Sequence, residues 1–122
     1  MKTSSLAFKA TLACALTLAT GASYAADPAA TRAKIAMALQ GDIRSEAEVA
    51  RDANRKPAEV LEFFGLEDDM KVLEISPATG YWSKFVGRTL CANGGELVVS
   101  VGVSADYRNE VMSLPGLGCA SA

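Results

Sequence analysis

The stretch Lys71 to Leu90, KVLEISPATGYWSKFVGRTL, constrains the fold of this chain more than any other. An apolar run of Val72, Leu73 and Ile75 meets a short turn containing Pro77 and Gly80, then passes directly into apolar residues at helical spacing. Strand, loop and helix in that order open a nucleotide-binding unit. Its loop lets a ligand approach the backbone, and its helix presents free N–H groups and the positive end of a dipole. Glu74 stands near the end of the strand. A single glycine is not the full G-x-G-x-x-G pattern, and turns of this kind also occur in α/β proteins that bind nothing there.

The flanks fix how this unit is completed. Tyr81, Trp82, Phe85, Val86 and Leu90 recur with a period near 3.6, as in a helix covering a sheet, and the Asn93-Gly94-Gly95 turn follows. Leu97 to Val103, LVVSVGV, is then a β-branched run, apolar on both faces, as expected of a buried parallel strand. Asp106 to Ser113 has the composition of one more helix, and Leu114 to Ala122 reads as a loop. Upstream, Pro57 suits a first helical position, Val60, Leu61, Phe63 and Phe64 form an apolar stripe, and Gly65 ends the helix. This stripe is expected to be core, with the aromatic pair beside or over the first strand.

The amino-terminal half is helical and polar. Asp27-Pro28 begins an alanine-rich helix that runs to Gln40, and Gly41 interrupts it. Ser45 with Glu48 three residues later is a capping-box pattern, opening a stretch to about Asn54 in which Arg51, Asp52, Arg55 and Lys56 read as a solvated face. Before Asp27 lies a processing segment: Lys2 and Lys9, an apolar run from Ala10 to Leu18, and the small residues Ser23 and Ala25. The run is shorter than the roughly 18 residues a membrane span requires, so the expectation is an exported, periplasmic protein cleaved near Ala25, with no stable membrane anchor.

A mature chain from Ala26 holds about 97 residues, enough for one small domain. Loss of Lys2 and Lys9 leaves ten basic residues against fourteen acidic ones, without a basic cluster, which excludes nucleic acid as an expected partner. The chain has no histidine, so the usual triad base is absent and a zinc site is not expected from the two remaining cysteines, Cys91 and Cys119. In an oxidising compartment these two either form a disulfide, adding on the order of 3 kcal/mol, or remain a buried helix-end thiol and a thiol in the tail.

Two segments together resemble a known family. RDANRKPAEVLEFFGL at Arg51 to Leu66, followed by KVLEISPATGYWSKFVGRTL and GGELVVS, resembles the amino-terminal part of bacterial, often exported, predicted class I S-adenosylmethionine-dependent methyltransferases. Those proteins carry an R-D-x-x-R-x-P-x-E-x-L-x-F-F-G helix, a glycine-rich loop after E-x-x-P, and a following strand. The likeness covers Arg51 to about Val103.

The resemblance implies an α/β fold, a partial Rossmann-like unit of helices followed by strand, helix and strand in an incomplete sheet. The implied organisation is a signal peptide over residues 1–25, a helical arm over 26–56 and a truncated methyltransferase-like domain over 57–122. The implied cofactor is S-adenosylmethionine, held by Glu74, Ser76, Pro77, Ala78, Thr79, Gly80 and Tyr81. The partner would be a small-molecule or protein methyl acceptor that the sequence does not name, nor does it name a catalytic residue. Where relatives carry glycines this chain has Ala78 and Thr79, whose side chains add bulk and oppose positive φ. No acid stands between Leu97 and Ala105, where class I enzymes carry a ribose acceptor, and Asp106 comes several residues late. The strands that would line the acceptor side, and any residue that would orient or deprotonate an acceptor, are also missing from the sequence, so weak activity or none is expected of this chain by itself. The alternative is a non-enzymatic exported interaction domain, a homodimer for instance, that pairs through exposed strand edges.

Overall fold

The computed structural model describes residues 27–100 and 102–122; the leader read over residues 1–25 lies outside them. Helix α1, Pro28–Leu39, starts as its sequence requires, because Asp27 Oδ1 accepts a hydrogen bond from the Ala29 N–H at 2.9 Å and Pro28 needs no partner for its own nitrogen. Thr31, Ile35 and Ala38 form its buried stripe. Helix α2, Glu46–Ala50, carries the predicted capping box: the Glu48 N–H donates to Ser45 Oγ, and Glu48 Oε2 accepts from the Ser45 N–H at 2.8 Å. Arg51 joins it to the short helix α3, Asp52–Arg55, and Pro57 begins α4, Pro57–Phe63.

Strand β1, Lys71–Ile75, and strand β2, Glu96–Ser100, pair in parallel, with Lys71 opposite Glu96 and Ile75 opposite Ser100. Helix α5, Tyr81–Cys91, connects them and packs on one face of the sheet and against α1. Residues of a strand alternate between faces, so Val72 and Glu74 share the α5 face with the buried Leu97 and Val99, while Lys71, Leu73 and Ile75 point to the open face. Phe85, Leu90 and Leu97 are fully buried at the centre of the core. The chain is thus mixed α/β with a small, open, parallel sheet in the order β1-β2-β3.

The third strand corrects the reading of the tail. Residues expected to be loop include β3, Ala120–Ser121, which pairs in parallel with β2 at Leu97 and Val98. A disulfide between Cys91 and Cys119 ties this strand to the end of α5, which decides between the two cysteine readings. Leu117 closes the same region by packing over Gly87, where a Cβ would stand 2.1 Å from its Cδ2. Between β2 and the tail run a helical turn α6, Ala105–Tyr107, capped by Ser104, and a π-helical turn, Arg108–Met112.

Three further expectations are corrected. Phe63 and Phe64 do not cover the first strand: they are 84% and 76% exposed and pack edge to face on each other, because α4 turns Pro57 and Leu61 inward instead. The second strand ends at Ser100, short of Val103, and is not apolar-buried on both faces, since Val98 on the open face is only half-buried. Asp52 is no part of a solvated face. It receives both guanidinium nitrogens of the buried Arg44, at 2.5 and 2.9 Å, and the Tyr81 hydroxyl at 2.5 Å. With Lys84 donating to both oxygens of the buried Glu48, these bonds join α2 and α3 to α5.

Candidate functional site

The carboxyl end of β1, the loop 76–80 and the start of α5 line a cleft of about 330 Å³ together with Arg51 and Arg55. Six of the seven residues assigned to cofactor binding line it: Glu74, Ser76, Pro77, Ala78, Thr79 and Tyr81. The seventh, Gly80, is buried behind them as the N-cap of α5, with φ of 80°. A Cβ there would lie 2.8 Å from the Val111 side chain as well as in a strained conformation, so two constraints require glycine. Another hollow, of about 120 Å³ between α1 and α4, contains none of the assigned residues.

The loop is bent more tightly than its single glycine predicts. Ser76 at φ 58° and Ala78 at φ 51° both adopt the left-handed conformation that costs an L residue roughly 1–2 kcal/mol. Their φ angles let Pro77 turn inward and leave Ala78 and Thr79 on the rim. Ala78→Gly is expected to stabilise the fold by about 1 kcal/mol, the relief of strain being partly offset by the freer unfolded chain. Thermal unfolding of the two chains checks this, with a rise in midpoint of roughly 4–8 °C for a domain of this size.

Glu74 sits half-buried on the α5 face of β1 and is the one carboxylate in the cleft. Ser83 Oγ donates to its Oε2 at 2.6 Å, and the Tyr107 hydroxyl donates to Ser83 Oγ at 2.6 Å. This chain fixes the carboxyl group from below and leaves its remaining acceptor capacity for the cleft. Burial raises the proton affinity of Glu74 above the ordinary carboxylate range, only partly offset by the Ser83 bond. Burial likewise raises the Tyr107 phenol. Tyr81 serves the wall: burial, then its bond to Asp52, pushes its phenol up to about 12, and its ring lies under the guanidinium of Arg55 at 4.4 Å.

Trp82 and the two arginines belong to the cleft although they were not among the assigned residues. Arg51 and Arg55 are four apart in a helical stretch and so share a face, a signal present in the sequence but equally typical of solvated helices. Ser83 and Tyr107 give no local signal, since their bond spans 24 residues. The end of β2 offers Ser100, and Asp106 lies exposed in the first turn of α6. No cluster of three potential metal ligands occurs among the described residues, nor is any described helix long and apolar enough to cross a membrane.

Fold and site together define an α/β chain whose cleft lies where a parallel strand runs through a strained loop into a helix. Comparison with family models, with curated proteins and with solved structures found no match to this chain.

Proposed function

We propose that this chain is a methyltransferase-like protein, built on a partial Rossmann-like unit, that binds S-adenosylmethionine in the cleft and transfers methyl groups weakly or not at all by itself. The observation that carries this reading is Glu74: a half-buried carboxyl group at the end of a parallel strand, fixed by Ser83 and facing a loop that leads into α5. The donor set suits one end of the cofactor. Glu74 can accept from an ammonium or hydroxyl group, and Trp82 gives the cleft an apolar wall. It suits the other end less well, because Ser100 stands at the end of β2 where a ribose-binding acid would be expected. When bound, the cofactor supplies an electrophilic methyl group on a sulfonium. The side chains of this cleft bind and orient it, and Glu74 is the one carboxylate here able to receive a proton.

Calorimetric titration of the purified chain with S-adenosylmethionine tests the reading, and Trp82, the single tryptophan, reports independently by fluorescence. Saturable one-to-one binding is expected, weakened at least tenfold by Glu74→Ala, as for loss of a charged hydrogen-bond partner. Glu74→Gln should weaken binding and raise the thermal midpoint at pH 7. A carboxyl group with raised folded affinity is penalised when ionised, and that penalty disappears below its ordinary value of 4.5. No heat and no Trp82 response from a folded chain would reject the cofactor.

One observation favours a second reading, an exported interaction domain. β1 is an edge strand, and its open face carries Leu73 and Ile75 at 57% and 67% exposed, whereas parallel sheets are ordinarily covered on both faces. Sedimentation equilibrium separates the two. A stable dimer lost on Leu73→Lys, with no cofactor binding, would establish the second reading in place of the first.

A further inference from the structure

We propose that the cleft holds an oxyanion, a carboxylate or phosphate group, between Arg51 and Arg55. The inference uses the same cleft as the proposed function and does not depend on the identity of the cofactor.

The charges of the molecule single these residues out. Arg32, Lys34, Arg44, Lys71, Lys84 and Arg88 each form an ion pair with an acid. Among the described residues Arg51, Arg55, Lys56 and Arg108 form none, and two of those four line one cleft. Their nearest acid in the chain, Asp52, is already engaged by two nitrogens of Arg44 and by the Tyr81 hydroxyl. Glu74, in the same cleft, is engaged by Ser83, and its burial disfavours the charged form. The cleft therefore carries two cations that form an ion pair with no acid among the described residues, Glu74 included.

Its construction also limits what those cations can do. The guanidinium of Arg55 is held over the Tyr81 ring at 4.4 Å, which restricts its rotation and leaves its N–H edge for an in-plane acceptor. A guanidinium presents parallel donors that match the two oxygens of a carboxylate or phosphate, whereas a solvated lysine would offer only a point charge. Beside Arg55, α5 begins at Gly80 with no side-chain cap, so the partial positive charge of an eleven-residue helix adds to the same field. The anion has two chemical sources: the amino-acid carboxylate of the sulfonium cofactor, or the acid group of a separate small molecule.

The test follows Trp82 fluorescence of the full chain during titration with inorganic pyrophosphate at fixed ionic strength. A saturable response is expected, weakened about tenfold by Arg51→Gln and again by Arg55→Gln, and unchanged by Arg108→Gln, which removes an exposed charge elsewhere. Should Arg55→Gln loosen the fold through its contact with Tyr81, Arg51→Gln carries the test, with circular dichroism as the control for folding. A response that does not saturate, or equal affinity in a folded Arg51→Gln chain, overturns the proposal. The source is then read from two further ligands. Weakening of S-adenosylmethionine but not of 5′-methylthioadenosine, which lacks the carboxylate, assigns the anion to the cofactor, whereas neither weakening assigns it to a separate acid. Pyrophosphate binding without S-adenosylmethionine binding would remove the cofactor reading and leave this one standing; the reverse would remove this one alone.

Discussion

Asp52→Ala is expected to cost about 3–5 kcal/mol, a large part of the roughly 5–15 kcal/mol that holds a domain of this kind folded. The side chain of Arg44 is fully buried, and Asp52 supplies the opposing charge for two of its nitrogens. Arg44 keeps one further good bond, from Nη1 to the Leu39 carbonyl at 2.7 Å, while its Nε is already buried without a partner. Removing the carboxylate leaves a buried cation and strips the Tyr81 hydroxyl of its acceptor in the same step. Asp52→Asn, which keeps an acceptor but not the charge, should fall between the two, and denaturant unfolding at neutral pH measures all three chains.

The same residue gives the fold an acid limit. Hydrogen bonds from Arg44, opposed by burial and helped by Tyr81, hold the Asp52 carboxyl below its ordinary value of 3.8. Burial opposes ionisation of Glu48 and Asp68, yet bonds from Lys84 and Ser45 to the first, and from Lys34 and Asn93 to the second, keep both below the ordinary range. A carboxyl group whose folded affinity is depressed contributes stability that is complete above its unfolded value and is lost as pH falls toward the folded one. Stability should therefore hold from neutral pH to about 5 and fall steeply below about 4. Asp52→Ala should flatten that acid limb as well as lower the plateau. Glu74, shifted the other way, acts against this trend without reversing it, being one group against three.

Much of the site was legible because its signals are local. A strand, a Pro/Gly turn and a helix placed Glu74 and the loop in one cleft, and the caps at Asp27 and Ser45 set two helix starts within a residue. What the sequence could not show depends on partners far along the chain. An apolar stripe at Val60, Leu61, Phe63 and Phe64 says that a face is apolar, not what it meets, and two of the four face solvent. Asp52 looks like any helix-surface acid until Arg44 and Tyr81 are brought to it across 8 and 29 residues. The backbone at Ser76 and Ala78 was hidden for a different reason, since left-handed residues are recognised by glycine and neither is one.

Loss of the disulfide is the second large effect, expected at about 3–4 kcal/mol from the entropy of a loop closed across 28 residues. Its structural consequence should be confined to one edge of the sheet. β3 pairs over two residues only, too few to hold a strand in place, so its position depends on the cross-link to α5 and on Leu117 seated over Gly87. In a Cys91→Ser/Cys119→Ser chain the pairing of Ala120 with Leu97 should open first and uncover the second edge of β2, while β1, α5 and the Glu74 cleft keep their arrangement. Hydrogen exchange reports on the tail that carries β3: the Ala120 amide, held within that tail by the Leu117 carbonyl at 2.9 Å, should lose protection far more than amides of α5. Anion or cofactor binding measured on the same chain should change little. The disulfide and the cleft lie at opposite ends of α5, Cys91 closing the helix whose first residues, Tyr81 and Trp82, line the site. Equal loss of protection along α5 would instead mean that the cross-link sustains the whole core.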